Sequence, residues 1–260
     1  MTEDATARAG NEPGPGVVGA AAGNGRLDHP ERATRGEEPG DSREGVGPSE
    51  WGVPGQVGVG PWPGGRAAWP RDERYDPDLL EHGDARNVVD AYRYWRREAV
   101  AADLARRAHP FHVAIENFGH DHNIGTVVRT ANAFAAAAVH IVGRRRWNRR
   151  GAMVTDRYQT LHHHEDVGGL AAFARERGLA VVAVDNTEGA QRIETAAIPR
   201  QCVLLFGQEG PGLTPGARAI ADLLVSIAQF GSTRSINAGV AAGITMHAWV
   251  RQHADLDTAW

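Results

Sequence analysis

From residue 110 onward, short apolar runs alternate with segments of helical period, and this alternation leaves few folds open to the chain. FHVAIEN (Phe111 to Asn117), AVHIVG ending at Gly143, LAVVAVD ending at Asp185, CVLLFG ending at Gly207 and LLVSIA ending at Ala228 read as strands. Helical patterns lie between them: Ile124 to Ala136, a helix or turn around Ala152 to Tyr158, Gly168 to Arg177, and a closing helix from Ile236 to His253. Strands that are apolar at nearly every position must be covered on both faces, which a parallel sheet flanked by helices achieves. The expected fold class is therefore α/β, a mostly parallel sheet with helices on both faces. Ligands of such sheets sit beyond the carboxyl ends of the strands. Three of those ends hold unusual residues: 117–123, 207–212 and 228–237.

The chain ahead of residue 110 has a different texture. Residues 1–70 hold half of the 32 glycines and nine of the 14 prolines, show no helical or strand period, and read as a disordered tail. Residues 71–109 read as a helical extension, in which a pattern from Asp84 to Arg107 puts Val88, Ala91, Tyr92, Trp95 and Ala99 on one helix face. Residues 110–260 form the main domain. No segment reaches membrane-spanning length, and VVGAAAG is too short and too weakly apolar for a signal segment, so a cytoplasmic location is expected.

All 28 basic residues are arginine. Without lysine, neither a Schiff base nor a P-loop lysine is available, and phosphate must be met by Arg, backbone amides or helix N-termini. Past Pro70 acids and arginines are equal in number, so overall charge does not point to nucleic acid. A lone Cys202 in an apolar run excludes a disulfide framework and a multi-cysteine zinc site.

At the first strand end, Asn123 stands at a helix N-cap position and Arg129 follows within two turns, among Ile124, Val127, Val128 and Ala131. A buried arginine there would need a partner, whereas a solvated one would not. At the second, a buried strand runs into Gly207, Glu209, Gly210 and Gly212, spaced unlike a dinucleotide fingerprint. Glycines in that position let a backbone approach a ligand closely. At the third, Arg234, Ser235 and Asn237 stand at the mouth of an apolar helix, with Ser235 in the expected N-cap position.

Together these loops resemble the three motifs of the SpoU-type (TrmH-like) branch of the SPOUT superfamily of RNA ribose 2′-O-methyltransferases. Asn123, Gly125, Arg129, Thr130 and Ala131 match the first motif. Gly207, Glu209, Gly210, Gly212 and Leu213 match the second, and Ile227, Ser235, Ile236 and Asn237 the third. The resemblance covers about residues 110–253; Ile236 replaces the usual Leu, and Ala135-Ala136 stands where Phe-Gly is common.

The resemblance implies that residues 110–260 form a SPOUT domain with a deep C-terminal trefoil knot, in which the loop before Ser235 is threaded. Gly239, Ala241, Ala242 and Gly243 would let the last helix pack tightly against it. It further implies S-adenosyl-L-methionine as methyl donor, held by Asp185, Gly207, Ile227 and Ile236, and a homodimer whose site is completed across the interface. Arg129, Asn123, Glu209, Ser235 and Asn237 become the catalytic set, with Glu209 as an expected ion-pair partner of Arg129. An arginine side chain is protonated at any physiological pH, so a clamp on phosphate and on the developing oxyanion suits Arg129 better than the role of base.

With an RNA substrate implied, GRRRWNRRG (residues 143–151) reads as the RNA-binding surface, through Arg144, Arg145, Arg146, Trp147, Arg149 and Arg150. Transfer RNA, with a guanosine-type target, ranks ahead of 23S rRNA. An rRNA enzyme of resistance type and a catalytically inactive knotted RNA-binding protein are the alternatives. His120 and His122 flank Asp121, and His162, His163 and His164 run together. Successive strand residues face opposite sides and no Cys or carboxylate sits at zinc-ligand spacing, so these histidines read as structural or RNA-facing and no metal is expected.

Overall fold

The computed structural model describes residues 58–119 and 123–257. Seven strands form one sheet in the order β3-β2-β1-β6-β4-β7-β5, and every pairing in it is parallel. The strands are β1 (His109–Asn117), β2 (Ala136–Gly143), β3 (Leu161–His164), β4 (Ala180–Val184), β5 (Gln191–Arg192), β6 (Cys202–Phe206) and β7 (Leu223–Ser226). The helices are α1 (Pro77–His82), α2 (Arg97–Arg107), α3 (Ile124–Ala133), α4 (Val167–Glu176), α5 (Pro215–Ala219) and α6 (Ala238–His253). The apolar runs read as strands are strands, and the region around Ala152 to Tyr158 is two short 3-10 turns.

Period-two alternation sorts the strand side chains onto two faces. Phe111, Val113, Ile115, Val139, Ile141, Leu204 and Phe206 face α3 and α6, where Ile124, Val127, Val128, Met246 and Trp249 meet them. Ala114, Val142, Val181, Ala183, Val203 and Leu205 face α4 and α5, against Leu170, Ala174 and Ala217. The small residues of α6 serve contact with α3: a Cβ on Gly239 would stand 3.0 Å from the Thr126 methyl. On its other side α3 meets the 3-10 turn at Arg149–Ala152 so closely that a Cβ on Gly125 would lie 2.7 Å from backbone.

The N-terminal boundary differs from the expectation. Residues 58–70 are part of the folded unit: Val59 bridges to Asp84, and Trp62 meets the rings of Tyr75 and Tyr94 edge-on. The tail expected over residues 1–57 lies outside the described residues, as do His120, Asp121 and His122.

The single helix expected from Asp84 to Arg107 is interrupted. Asp84 is fully buried and its carboxylate accepts from the Arg86 amide and guanidinium and from the Tyr94 amide. Wrapping the chain around that carboxylate gives Tyr94 a φ of 62°, which a helix cannot contain, and α2 begins only at Arg97. Those bonds hold the Asp84 carboxyl below its ordinary value in spite of its burial.

Candidate functional site

The carboxyl ends of β4, β6 and β7 enclose a cavity of about 340 Å³, a size typical of small-ligand sites. Asp185, Gly207, Ile227 and Ile236 all line it, together with Glu209, Ser235 and Asn237. The sheet brings these segments together because β4 and β6 are neighbours and β7 flanks β4, so three distant loops open on one edge.

The loop after β6 turns back on itself, with Gln208 and Gly212 exchanging backbone hydrogen bonds. A Cβ on Gly207 would lie 2.2 Å from the Gly212 carbonyl carbon, so only glycine fits there. Two anchors tie this loop to the exit of β1. The buried Glu116 carboxylate accepts from the Thr214 amide at 2.8 Å and from its hydroxyl at 2.5 Å, and Gln208 Oε1 accepts from the amides of Phe118 and Gly119. The third loop is pinned where Asn186 Nδ2 donates to the Arg234 carbonyl at 2.9 Å, and Arg218 reaches Asp185 at 3.3 Å.

At the cavity mouth, one residue from each motif meets the other two. Asn237 caps α6, its Oδ1 accepting from the amides of Gly239 and Val240, while its Nδ2 donates to Asn123 Oδ1 at 2.9 Å. Asn123 Nδ2 donates to Glu209 Oε2 at 2.6 Å, and Asn237 Nδ2 approaches the same carboxylate at 3.4 Å. Asn123 stands at the N-cap of α3 but makes no capping bond, because its side chain is committed to this network. Ser235 does not cap α6; Asn237 does, and the Ser235 side chain is exposed at the cavity.

Arg129 departs from expectation. It is exposed on α3 and, among the described residues, has no hydrogen-bond or ion-pair partner. The anticipated pair with Glu209 is absent: the carboxylate accepts from the side-chain amides of Asn123 and Asn237, and Arg129 faces solvent on α3. The burial problem that motivated the pair does not arise, because α3 turns Ile124, Val127, Val128 and Ala131 inward and Arg129 outward.

Arg144, Arg145, Arg146, Arg149 and Arg150 are exposed, whereas Trp147 is half-buried against the core, with Arg149 over its ring. Asn117 ties the start of that loop down, its Nδ2 donating to the carbonyls of Arg144 and Arg146.

The histidines of β3 take opposite sides. His163 meets the Gly143 carbonyl, while His162 and His164 lie with His112 and His140 beneath Phe173 of α4. His140 joins His112 at 2.9 Å and His164 at 2.8 Å. Burial, reinforced by the neighbouring histidines, lowers His140 to about 2 and His112 to about 4.

Several residues of the site escaped sequence reasoning: Glu116, Asn186, Gln208, Arg218 and Gln229. Glu116 had a signal, an acid inside an otherwise apolar strand; the others are ordinary loop or helix residues whose role depends on tertiary placement. Gln229 Oε1 and Thr187 Oγ1 are buried without a hydrogen-bond partner, and Gln229 stands in the cavity wall. An unsatisfied buried acceptor costs free energy that a ligand carrying N–H or O–H groups would restore.

A doubly covered parallel sheet with a polar-mouthed cavity at its carboxyl edge defines an α/β protein of ligand-binding type. Residues 110–247 match the SpoU rRNA Methylase family, and the chain belongs to it. It is 28% identical over 152 residues to the tRNA (guanosine(18)-2′-O)-methyltransferase of Escherichia coli (strain K12), a match covering 57% of this chain and 66% of that protein. The TrmH/SpoU tRNA modifying enzyme of A. aeolicus shares the fold, with a TM-score of 0.54 at 22% identity over 60% of this chain and 82% of that one. An AdoMet-bound rRNA methyltransferase from Sinorhizobium meliloti is 26% identical with a TM-score of 0.50, over 56% and 59% of the two chains.

Proposed function

We propose that this chain is an S-adenosylmethionine-dependent RNA ribose 2′-O-methyltransferase acting on tRNA, with a guanosine-type target. The observation that carries the reading is the Asn123–Glu209–Asn237 network, one residue from each motif, at the mouth of a cavity of ligand size. The substrate named for the Escherichia coli relative supports tRNA. The bound AdoMet of the Sinorhizobium meliloti relative supports the donor.

The cavity suits that donor. Asp185, Gly207, Ile227 and Ile236 would hold it, and the unpartnered Gln229 Oε1 offers an acceptor to its N–H or O–H groups. When bound, the donor supplies an electrophilic methyl group. Asn123, Asn237 and Glu209 position the ribose at the mouth, and the exposed Glu209 carboxylate can accept from a hydroxyl there. Arg129, exposed on α3, binds the adjoining phosphate and stabilises charge on the 2′-oxygen. The exposed arginines at 144–150 track the RNA backbone. A trefoil knot in the C-terminal part and a homodimer that completes the site across its interface belong to the same reading.

The test is transfer of radiolabelled methyl from S-adenosylmethionine to unmodified tRNA and, separately, to unmodified rRNA, with Arg129→Ala as control. Label in tRNA that the variant abolishes is the expected result. Label only in rRNA would replace the substrate, in line with the Sinorhizobium meliloti relative. Donor binding without any label would favour an inactive binding protein.

A further inference from the structure

The turn between β2 and β3 carries a feature that the cavity does not use. Met153 (φ 48°) and Val154 (φ 72°) are consecutive non-glycine residues in the left-handed region, where a β-branched side chain is a steric outlier. Both are open to solvent, 53% and 46% exposed, so their own burial does not offset the strain.

The surroundings impose it. On one side Ala152 is fully buried under α3, and on the other Tyr158 packs into the aromatic cluster of Tyr92 and Trp95. Thr155 Oγ1 donates to the Ala152 carbonyl at 2.6 Å, and the Arg157 amide to Val154 at 3.0 Å. Strain maintained by such over-determination points to a function for the strained residues.

Around them lies a shallow cavity of about 320 Å³ whose other walls are Arg149, Arg150, Asp156 and Arg157. Arg149 pairs with Asp156 at 3.3 Å; Arg150 and Arg157 have no ion-pair partner among the described residues. The helix packed on this turn, α3, is the one that carries Arg129.

We infer that Met153 and Val154 form an apolar wedge that enters the base stack of a folded RNA, while Arg149, Arg150 and Arg157 hold the phosphates beside it. The inference rests on the RNA substrate proposed above. Helical RNA displays its 2′-hydroxyls in a wide, shallow minor groove, so bringing one to a cavity recessed between loops requires a local kink of the strand, and apolar side chains flanked by cations unstack and kink bases in this way. Charge selects RNA over a second copy of the chain. Two such patches meeting about a twofold axis would oppose like charges, whereas a phosphate backbone satisfies them.

The experiment compares wild type with the double variant Met153→Asn, Val154→Asn, because asparagine tolerates left-handed backbone and keeps the turn. Binding is read by fluorescence anisotropy with an unmodified tRNA transcript and with a short unstructured oligouridine, each over a salt series. The double variant binds the folded transcript about fivefold more weakly, the low end of the loss of one base contact. It binds oligouridine within about twofold of wild type and keeps the same salt slope, because its arginines are intact. Its melting temperature is no lower than that of wild type. Equal affinity of wild type and variant for the transcript overturns the wedge. So does a loss of self-association by light scattering with RNA affinity retained, which would make the patch a contact between copies. Failure of wild type to bind tRNA or rRNA transcripts sinks the RNA substrate itself, and is told apart because it precedes any comparison with the variant.

Discussion

Two polar clusters in this molecule are built alike and placed oppositely. Asn123, Glu209 and Asn237 come from three segments distant in the chain and meet at the carboxyl edge of the sheet, open to solvent. His112, His140 and His164 come from three neighbouring strands and also join through side chains, but they lie under Phe173 with His140 fully buried. The first cluster keeps lone pairs free beside a cavity; the second spends its ring nitrogens on itself. Residue type alone would favour the histidines as the reactive group. Burial reverses that, because a histidine held far below its ordinary pKa and closed to substrate cannot exchange protons with one.

Arg129 lies on the open side of the molecule, exposed on α3. Its removal is expected to lower methyl transfer by about 10²- to 10³-fold, the scale of losing one charge-stabilising donor. Because its side chain is exposed and has no partner among the described residues, Arg129→Ala should leave stability within about 0.5 kcal/mol and donor binding by calorimetry unchanged. A variant that melts early would instead make Arg129 structural. Asn237→Ala should do both kinds of damage, since one amide caps α6 and anchors the network. Loss of the cap costs about 1 kcal/mol, read by chemical denaturation, and turnover falls with it.

The sheet and its site were legible in the chain for different reasons. The strands could be read because continuous apolar runs have one inexpensive solution, burial on both faces. The cavity residues could be read because the three motifs keep their spacing. What stayed hidden was set by side-chain partners. Asn123 and Ser235 both occupy positions where a cap is expected, yet Asn123 turns to Glu209 and the cap of α6 falls two residues later, at Asn237. The break at Tyr94 was invisible because a helical period through Val88, Tyr92 and Trp95 carries no sign that Asp84 will be buried and must collect its donors from Arg86 and Tyr94. Trp147 looked like a stacking surface, and half of it serves the core.

The buried histidine cluster makes the fold sensitive to acid. His112 and His140 are lowered from 6.5 to about 4 and about 2, so the folded chain binds fewer protons than the unfolded one. Stability is therefore fully present above about pH 6.5 and falls as pH drops below it, first toward the value for His112 and then toward that for His140. Melting temperatures recorded from pH 7.5 down to 4.5 should show that decline, and His140→Leu should flatten it. A His140→Leu profile as steep as wild type would place the acid sensitivity elsewhere.

The smallest effect concerns Cys202, which belongs with the sealed part of the molecule although its strand leads into the cavity loop. The thiol is wholly buried, and burial pushes it up to about 12. Only a thiolate reacts at a useful rate, so iodoacetamide at pH 8 should leave the native protein unlabelled by mass spectrometry and label it once unfolded. Cys202 pairs with Phe111 and Ala180 at the amino-terminal side of β6, four residues before the strand opens at Phe206. Rapid native labelling would mean that the β1–β6–β4 centre of the sheet opens locally. The separation between a closed floor and an open carboxyl edge would then be one of rates rather than of structure.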